Sequence, residues 1–273
     1  MNVRHPAVAG QFYPSDETKA RMELEASFYS PLGPGDIPEV NKDGERTIVG
    51  AVVPHAGWMY SGPVAAHAYA AIARDGFPET FIIIGPNHQG VGAPVATTTH
   101  DFNTPFGVAT IDHDIVQRLG NRVKDDPMPH RFEHSIEVQL PFLQYLTDDV
   151  KFVPISMTSQ DLQTAAETAA EIRDAIADKD VVILASTDMS HYVTSEVARK
   201  KDHMVIDKIL SMDAPGVYDE VSRHNISMCG YGPVMTMLMA CGGSHAELLK
   251  YANSGDISPM REVVGYASIL VKK

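Results

Sequence analysis

Val181-Val182-Ile183-Leu184-Ala185 runs directly into Ser186-Thr187-Asp188-Met189-Ser190-His191. The apolar run shows no alternation with polar residues, which predicts a strand covered on both faces. The polar residues that follow then lie just past the strand's carboxyl end. The same construction appears twice upstream. Ile48 to Val53 leads into Pro54-His55-Ala56-Gly57, and Phe81 to Gly85 leads into Pro86-Asn87-His88. In an open α/β sheet, ligands bind in the crevice beyond the carboxyl ends of the strands.

Helical patterns separate these strands. Gly62 to Ala73 is alanine-rich, and Gln160 to Ala177 predicts a long helix. Glu17 to Phe28 predicts a surface helix capped by Ser15 or Asp16, with Ala20, Leu24 and Phe28 recurring every fourth residue. Asp112 is placed to cap a helix bearing Ile115, Val116 and Leu119. Glu133 to Leu146 reads as a helix bent at Pro141, and Lys151 to Met157 as a strand. Two or three helices are expected between Ser195 and Met239. His245 to Ala252 and Val263 to Val271 read as closing strands that can pair with each other. The alternation predicts an α/β fold: a central, mostly parallel or mixed sheet flanked by helices on both faces. The 273 residues suit a single domain over 1–273, with the Pro31–Pro38 stretch as a loop inside it.

The formal net charge of -13 disfavours nucleic acid and anionic membranes as main partners. The two cysteines, Cys229 and Cys241, define no disulfide framework, so a reducing cytoplasm is the expected setting. Residues 1–6 lack the apolar core of a secretory signal, and no apolar stretch reaches the ~20 residues of a membrane helix.

Four histidines, one aspartate and one cysteine stand where chemistry is usually done. His55 ends its strand beside Gly57 and is read either as a ligand or as a partner for turn backbone groups. His88 repeats the arrangement. If the two strands are neighbours, about 4.8 Å apart, both imidazoles converge on one ion. His134 and Glu137, spaced i, i+3 at a helix start, could act as acid, base or orienting pair, and Glu137 could equally cap the helix. Asp188 and His191 share a loop, where the carboxylate can fix the imidazole tautomer. An Asx-type turn is the alternative there. Cys229 precedes a helix-like stretch starting at Gly230, a place where unpaired N–H groups stabilise a thiolate. Cys241, in an apolar helix end, reads as a small buried hydrophobe. Imidazole and thiolate groups gathered at one crevice point to a transition metal.

The chain resembles the Memo family, the Memo-like B component of AmmeMemoRadiSam systems. The resemblance rests on an ordered set of stretches. They are Arg4 to Tyr13, Val53-Pro54-His55-Ala56-Gly57 with Tyr60-Ser61-Gly62, Gly85-Pro86-Asn87-His88, His134-Ser135-Ile136-Glu137 with Leu140-Pro141, Ser186 to His191, and Met228-Cys229-Gly230. It implies a fold like the class III extradiol dioxygenases of the LigB type. It also implies a metal pocket lined by His55, His88 and Cys229, with Asp188 and His191 matching a pocket-lining aspartate and histidine. Iron or copper and redox chemistry are what the resemblance implies. True extradiol dioxygenases hold Fe(II) with two histidines and a carboxylate. A cysteine in the third position donates more charge and can itself be oxidised.

Three functions are carried forward. The leading one is a mononuclear metal protein with a redox, dioxygenase-like role. One iron, or alternatively copper or zinc, would be held by His55, His88 and Cys229. His191 would be acid/base beside Asp188, and His134 and Glu137 would stand behind the ligands. The substrate would be a small molecule or a protein side chain. The second is a non-enzymatic peptide- or protein-binding module acting with AMMECR-type and radical-SAM partner proteins. The third is a zinc-dependent hydrolase in which the metal activates a water.

Overall fold

A computed structural model describes residues 2–273. The chain begins with strand β1 (Val3–Arg4) and helix α1 (Glu17–Tyr29), followed by β2 (Ile48–Val53), α2 (Trp58–Asp75) and β3 (Thr80–Pro86). A region of short elements follows: β4 (Val95–Thr97), β5 (Asp101–Thr104), β6 (Gly107–Ile111), α3 (His113–Arg118) and β7 (Lys124–Asp125). A 3-10 turn at Glu137–Gln139 runs into α4 (Leu140–Leu146), then come β8 (Lys151–Met157), α5 (Leu162–Ala175), β9 (Val181–Ser186) and β10 (His191–Val193). The last part holds α6 (Ser195–Leu210), α7 (Ala214–His224), α8 (Tyr231–Ala240), β11 (His245–Asn253), α9 (Ser254–Ile257) and β12 (Val263–Lys272).

Helix starts follow local chemistry. Asp16, Asp112 and Asp161 each accept a hydrogen bond from the backbone N–H three residues on, at 3.0, 3.1 and 2.9 Å. That satisfies an N–H with no partner inside the helix. Asp161 therefore sets the start of α5 at Leu162. One expectation fails here: Glu133 to Leu146 is not a continuous helix. A 3-10 turn starts only at Glu137 and the α-helix only at Leu140; ahead of them the Glu133 carboxylate takes the N–H groups of His134 and Ser135, both at 2.9 Å. Pro141 stands in the first turn of α4, where its missing N–H costs nothing. It opens the helix and does not bend it.

Among the described residues twelve strands form one mixed sheet. Its spine is β6-β8-β3-β9-β2, all parallel. β12 adds antiparallel to β2, and β11 and β10 pair antiparallel with β12, so the two closing strands do pair with each other. From β2 the chain moves outward to β3 and β8, then returns to insert β9 between β2 and β3. β2 and β3 are thus not neighbours, and the condition set on their spacing is not met. Their ends are two strand spacings apart, with the end of β9 between them.

Every residue of β2 and β3 is buried, as a sheet covered on both faces requires. α2 packs on β2, β11 and β12 with α1 and α4 beyond it. α8 packs on β2, β3 and β9 with α5 and α7 beyond it. No helix is long and apolar enough to cross a membrane among the described residues.

Ile83 lies mid-strand in β3, between β8 and β9, and is fully buried. Ile83→Ala is expected to cost about 2–5 kcal/mol. The urea midpoint should fall with little change in slope. A cost under about 1 kcal/mol would contradict this packing.

Candidate metal centre

Three strand ends build the site. β2 delivers His55, β3 delivers His88, and β9 delivers the Ser186-Thr187-Asp188 segment between them. The two imidazole rings meet edge to face across the end of β9, with centroids 5.2 Å apart. The loop before α8 brings Cys229 to the same place, its Sγ 3.2 Å from His55 Nε2. One donor atom from each of His55, His88 and Cys229 lies within 4.8 Å of the others. Ligands around a tetrahedral ion, with bonds of about 2.0–2.3 Å, stand roughly 3.5 Å apart. The cluster therefore fits one transition ion in both spacing and donor chemistry.

Hydrogen bonds assign the proton on His55. The Ser186 hydroxyl donates to the Ser135 carbonyl at 2.6 Å. Its oxygen can then only accept, from Gln139 Nε2 at 2.9 Å and from His55 Nδ1 at 2.8 Å. His55 thus carries its proton on Nδ1 and turns the lone pair of Nε2 toward Cys229. Gln139 is held in turn by the Tyr69 hydroxyl at 2.5 Å. Burial, together with the nearby His134, His88 and His191, lowers the pKa of His55 well below the ordinary histidine value. The ring is kept neutral, the form a metal needs.

His88 is oriented by Glu133, a residue that sequence reasoning passed over as the mere start of a helix. Glu133 accepts from His88 N at 2.6 Å and from His88 Nδ1 at 2.9 Å, leaving Nε2 free. This is the carboxylate–histidine arrangement that commonly lies behind metal ligands. The one signal available was its place directly before His134. His88, Glu133 and His134 also bring ligand-type atoms within 4.8 Å of one another. However, the Glu133 oxygens already take four N–H groups, the other two from His134 and Ser135. An ion there would have to displace them, so this group reads as a hydrogen-bonded support.

His134 stacks on His88 with centroids 4.6 Å apart and meets Phe12 at 4.7 Å. Burial, only partly offset by Glu133, lowers its pKa to about 4. Its carbonyl takes the Val138 N–H at 3.1 Å just ahead of the 3-10 turn, but its ring does not pair with Glu137. The buried Glu137 carboxylate instead binds Arg4 at 2.6 Å, the N–H groups of Ala7 and Val8 at 2.7 and 3.1 Å, and the Tyr13 hydroxyl at 2.5 Å. It neither caps a helix nor touches the three clustered donors.

Asp188 and His191 differ from expectation too. Asp188 Oδ1 accepts from the backbone N–H of His55 at 2.8 Å and of Ala56 at 3.3 Å, fastening the end of β2 to that of β9. His191 Nδ1 is taken by the carbonyls of Met189 and Ser227 at 2.9 and 2.8 Å. Backbone carbonyls, not Asp188, therefore set the tautomer and leave Nε2 free. Asp188 acts on His191 only through its charge. Burial raises the pKa of Asp188, and His191 opposes that rise.

Cys229 lies before the Gly230 cap of α8. Its sulfur accepts from Asp188 N at 3.2 Å. The expected stabilisation of a thiolate is outweighed here. Burial, and then the Asp188 carboxylate, push the thiol's pKa up, and the backbone N–H bond offsets this only in part. A cation would have to expel that proton. Cys241 is likewise a thiol raised by burial.

The His88–Glu133 pair gives a pH dependence with a definite sign. Burial alone would lower the His88 pKa, but the Glu133 bond and charge outweigh it, and the net shift is above 6.5. Burial alone would raise Glu133, but His88, His134 and the Ser135 N–H bring it from 4.5 down to about 2. The raised histidine stabilises below its unfolded value and loses that contribution as pH rises through the folded one. The depressed carboxylate stabilises above 4.5 and loses its contribution as pH falls toward about 2. The pair therefore contributes most between 4.5 and 6.5. Glu133→Gln should lower the His88 pKa, read by NMR of the imidazole signals. A His88 that titrates unchanged in this variant would show that Glu133 does not tune it.

Comparison with known proteins matches this architecture to a family. The model of the Memo-like protein family matches residues 4–270. A MEMO1 family protein of Methanopyrus kandleri is 48% identical over 281 residues, covering 99% of each chain. A MEMO1 family protein of Methanosarcina acetivorans is 46% identical over 280 residues, covering 100% of each. A MEMO1 family protein of Sulfurisphaera tokodaii is 44% identical over 279 residues, covering 98% of each. The match takes in every strand end that carries the cluster, and the chain belongs to the Memo-like protein family.

Proposed function

We propose that the chain is a mononuclear metal protein with a redox, dioxygenase-like role, in which His55, His88 and Cys229 bind one iron ion. The observation that carries this reading is the convergence of three donors, with Nδ1 of each imidazole committed to a partner and Nε2 left as the ligand atom. Two nitrogens and a sulfur also suit copper and zinc, and a three-ligand set leaves room for a substrate. The bound ion would supply Lewis acidity and, if iron or copper, electron transfer.

The other residues have separable tasks. His191, with Nδ1 committed to carbonyls, can take or give a proton at Nε2. His191 in turn opposes the burial that raises the pKa of Asp188. His134, held largely neutral, lines the site as an acceptor or donor near the ligands. The substrate on this reading is a small molecule or a protein side chain handled in the cytoplasm. AMMECR-type and radical-SAM proteins are the proposed partners, on the strength of the family association.

Metal analysis of anaerobically purified protein tests the proposal. About one iron per chain is expected, falling at least tenfold in Cys229→Ala. Copper in its place keeps the redox reading with a different ion. Redox-inert zinc at full occupancy favours the hydrolase. Absence of all three after anaerobic reconstitution, with Cys229→Ala no different, rejects the metal centre. Capture of an AMMECR-type partner that survives loss of all three ligands would then favour the binding module.

A further inference from the structure

The loop from His130 to Glu137 carries the carboxylate that orients His88, yet it contains no regular element before the 3-10 turn. A tether from the far end of the chain holds it. Arg4, only 7% exposed, directs all of its guanidinium at this loop. Nε donates to the His130 carbonyl, Nη2 to the Glu133 carbonyl and Nη1 to the Glu137 carboxylate, each at 2.6 Å. The guanidinium lies over the Phe102 ring at 4.6 Å from its centroid. Glu137 in turn binds the Ala7 and Val8 N–H groups and the Tyr13 hydroxyl, so the N-terminal segment and the loop hold each other.

We infer that Arg4 is a positioning residue for the metal cluster: by fixing the backbone of Glu133, it holds the carboxylate that orients His88. This rests on the metal reading above. The Glu133 main chain is gripped by Arg4 while its side chain grips His88 through both N and Nδ1. The fork requires arginine, because its planar donors reach two carbonyls and a carboxylate at once. A lysine ammonium keeps the charge for Glu137 but places its donors on a single nitrogen. The direct hydrogen-bond partner of a ligand, here Glu133, typically contributes about 10–100-fold to metal affinity, and Arg4 acts through it.

The test uses the full chain with Co(II) as probe, read by its visible and thiolate charge-transfer absorption. Arg4→Lys should weaken Co(II) binding about tenfold or more and change the visible band envelope. Arg46→Lys is the control. Arg46 makes a similar fork to Asp180 and the Phe77 carbonyl at the opposite end of the sheet, so its loss should lower stability and leave Co(II) binding unchanged. If Arg4→Lys does not fold, Arg4→Gln combined with Glu137→Gln removes both charges and leaves neither buried alone. The same loss of affinity is then expected. A folded Arg4 variant with the affinity and spectrum of the unmodified chain overturns the inference, as does an equal Co(II) loss in Arg46→Lys. An unmodified chain that takes up no Co(II) overturns the metal reading itself, before any variant is compared.

Discussion

Ser186 has a single hydroxyl proton, and it points at the Ser135 carbonyl. Much of the site follows from that. With the proton committed, the oxygen accepts from His55 and Gln139, so His55 must be protonated on Nδ1 and present a lone pair on Nε2. Ser186 occupies the last position of β9, the strand inserted between those that carry the two histidines. A buried serine at that position thus fixes both a distance and a tautomer. The Asp188 carboxylate then ties the chain after β2 back to the same strand end.

The two acidic residues of the Glu133–Glu137 stretch, four apart, do different work. Glu133 faces the imidazoles and is saturated by N–H groups, which explains how it stays ionised while 2% exposed. Glu137 faces away, toward Arg4 and the N-terminal segment. A buried charge is tolerated where every lone pair has a partner, and both carboxylates meet that condition. The Cys229 sulfur has only one short N–H partner, and as a thiol it needs no more. Its protonated state would make metal uptake a proton-coupled event.

The sequence displayed the strands most clearly where they are buried on both faces. Ile48–Val53, Thr80–Ile84 and Val181–Ala185 read as unbroken apolar runs, and their ends placed His55, His88 and Asp188 at the crevice. Strand order was not legible, because pairing between β2, β9 and β3 depends on contacts far apart along the chain. The short strands β4 to β7 span two to five residues, too few for periodicity to show. Helical spacing misled at His134 and Glu137. Real i, i+3 proximity presupposes an α-helix, and the chain enters one only at Leu140, after a 3-10 turn. Arg4 acts across a separation of 126 to 133 residues, which no local pattern reveals.

The central claim is that two imidazoles and one sulfur hold a single ion. X-ray absorption fine structure at the metal edge of the zinc-loaded chain tests it most directly. The account predicts one sulfur at about 2.3 Å and two imidazole nitrogens at about 2.0–2.1 Å, with the sulfur lost in Cys229→Ala. A coordination shell made only of nitrogen and oxygen in the unmodified chain would contradict it.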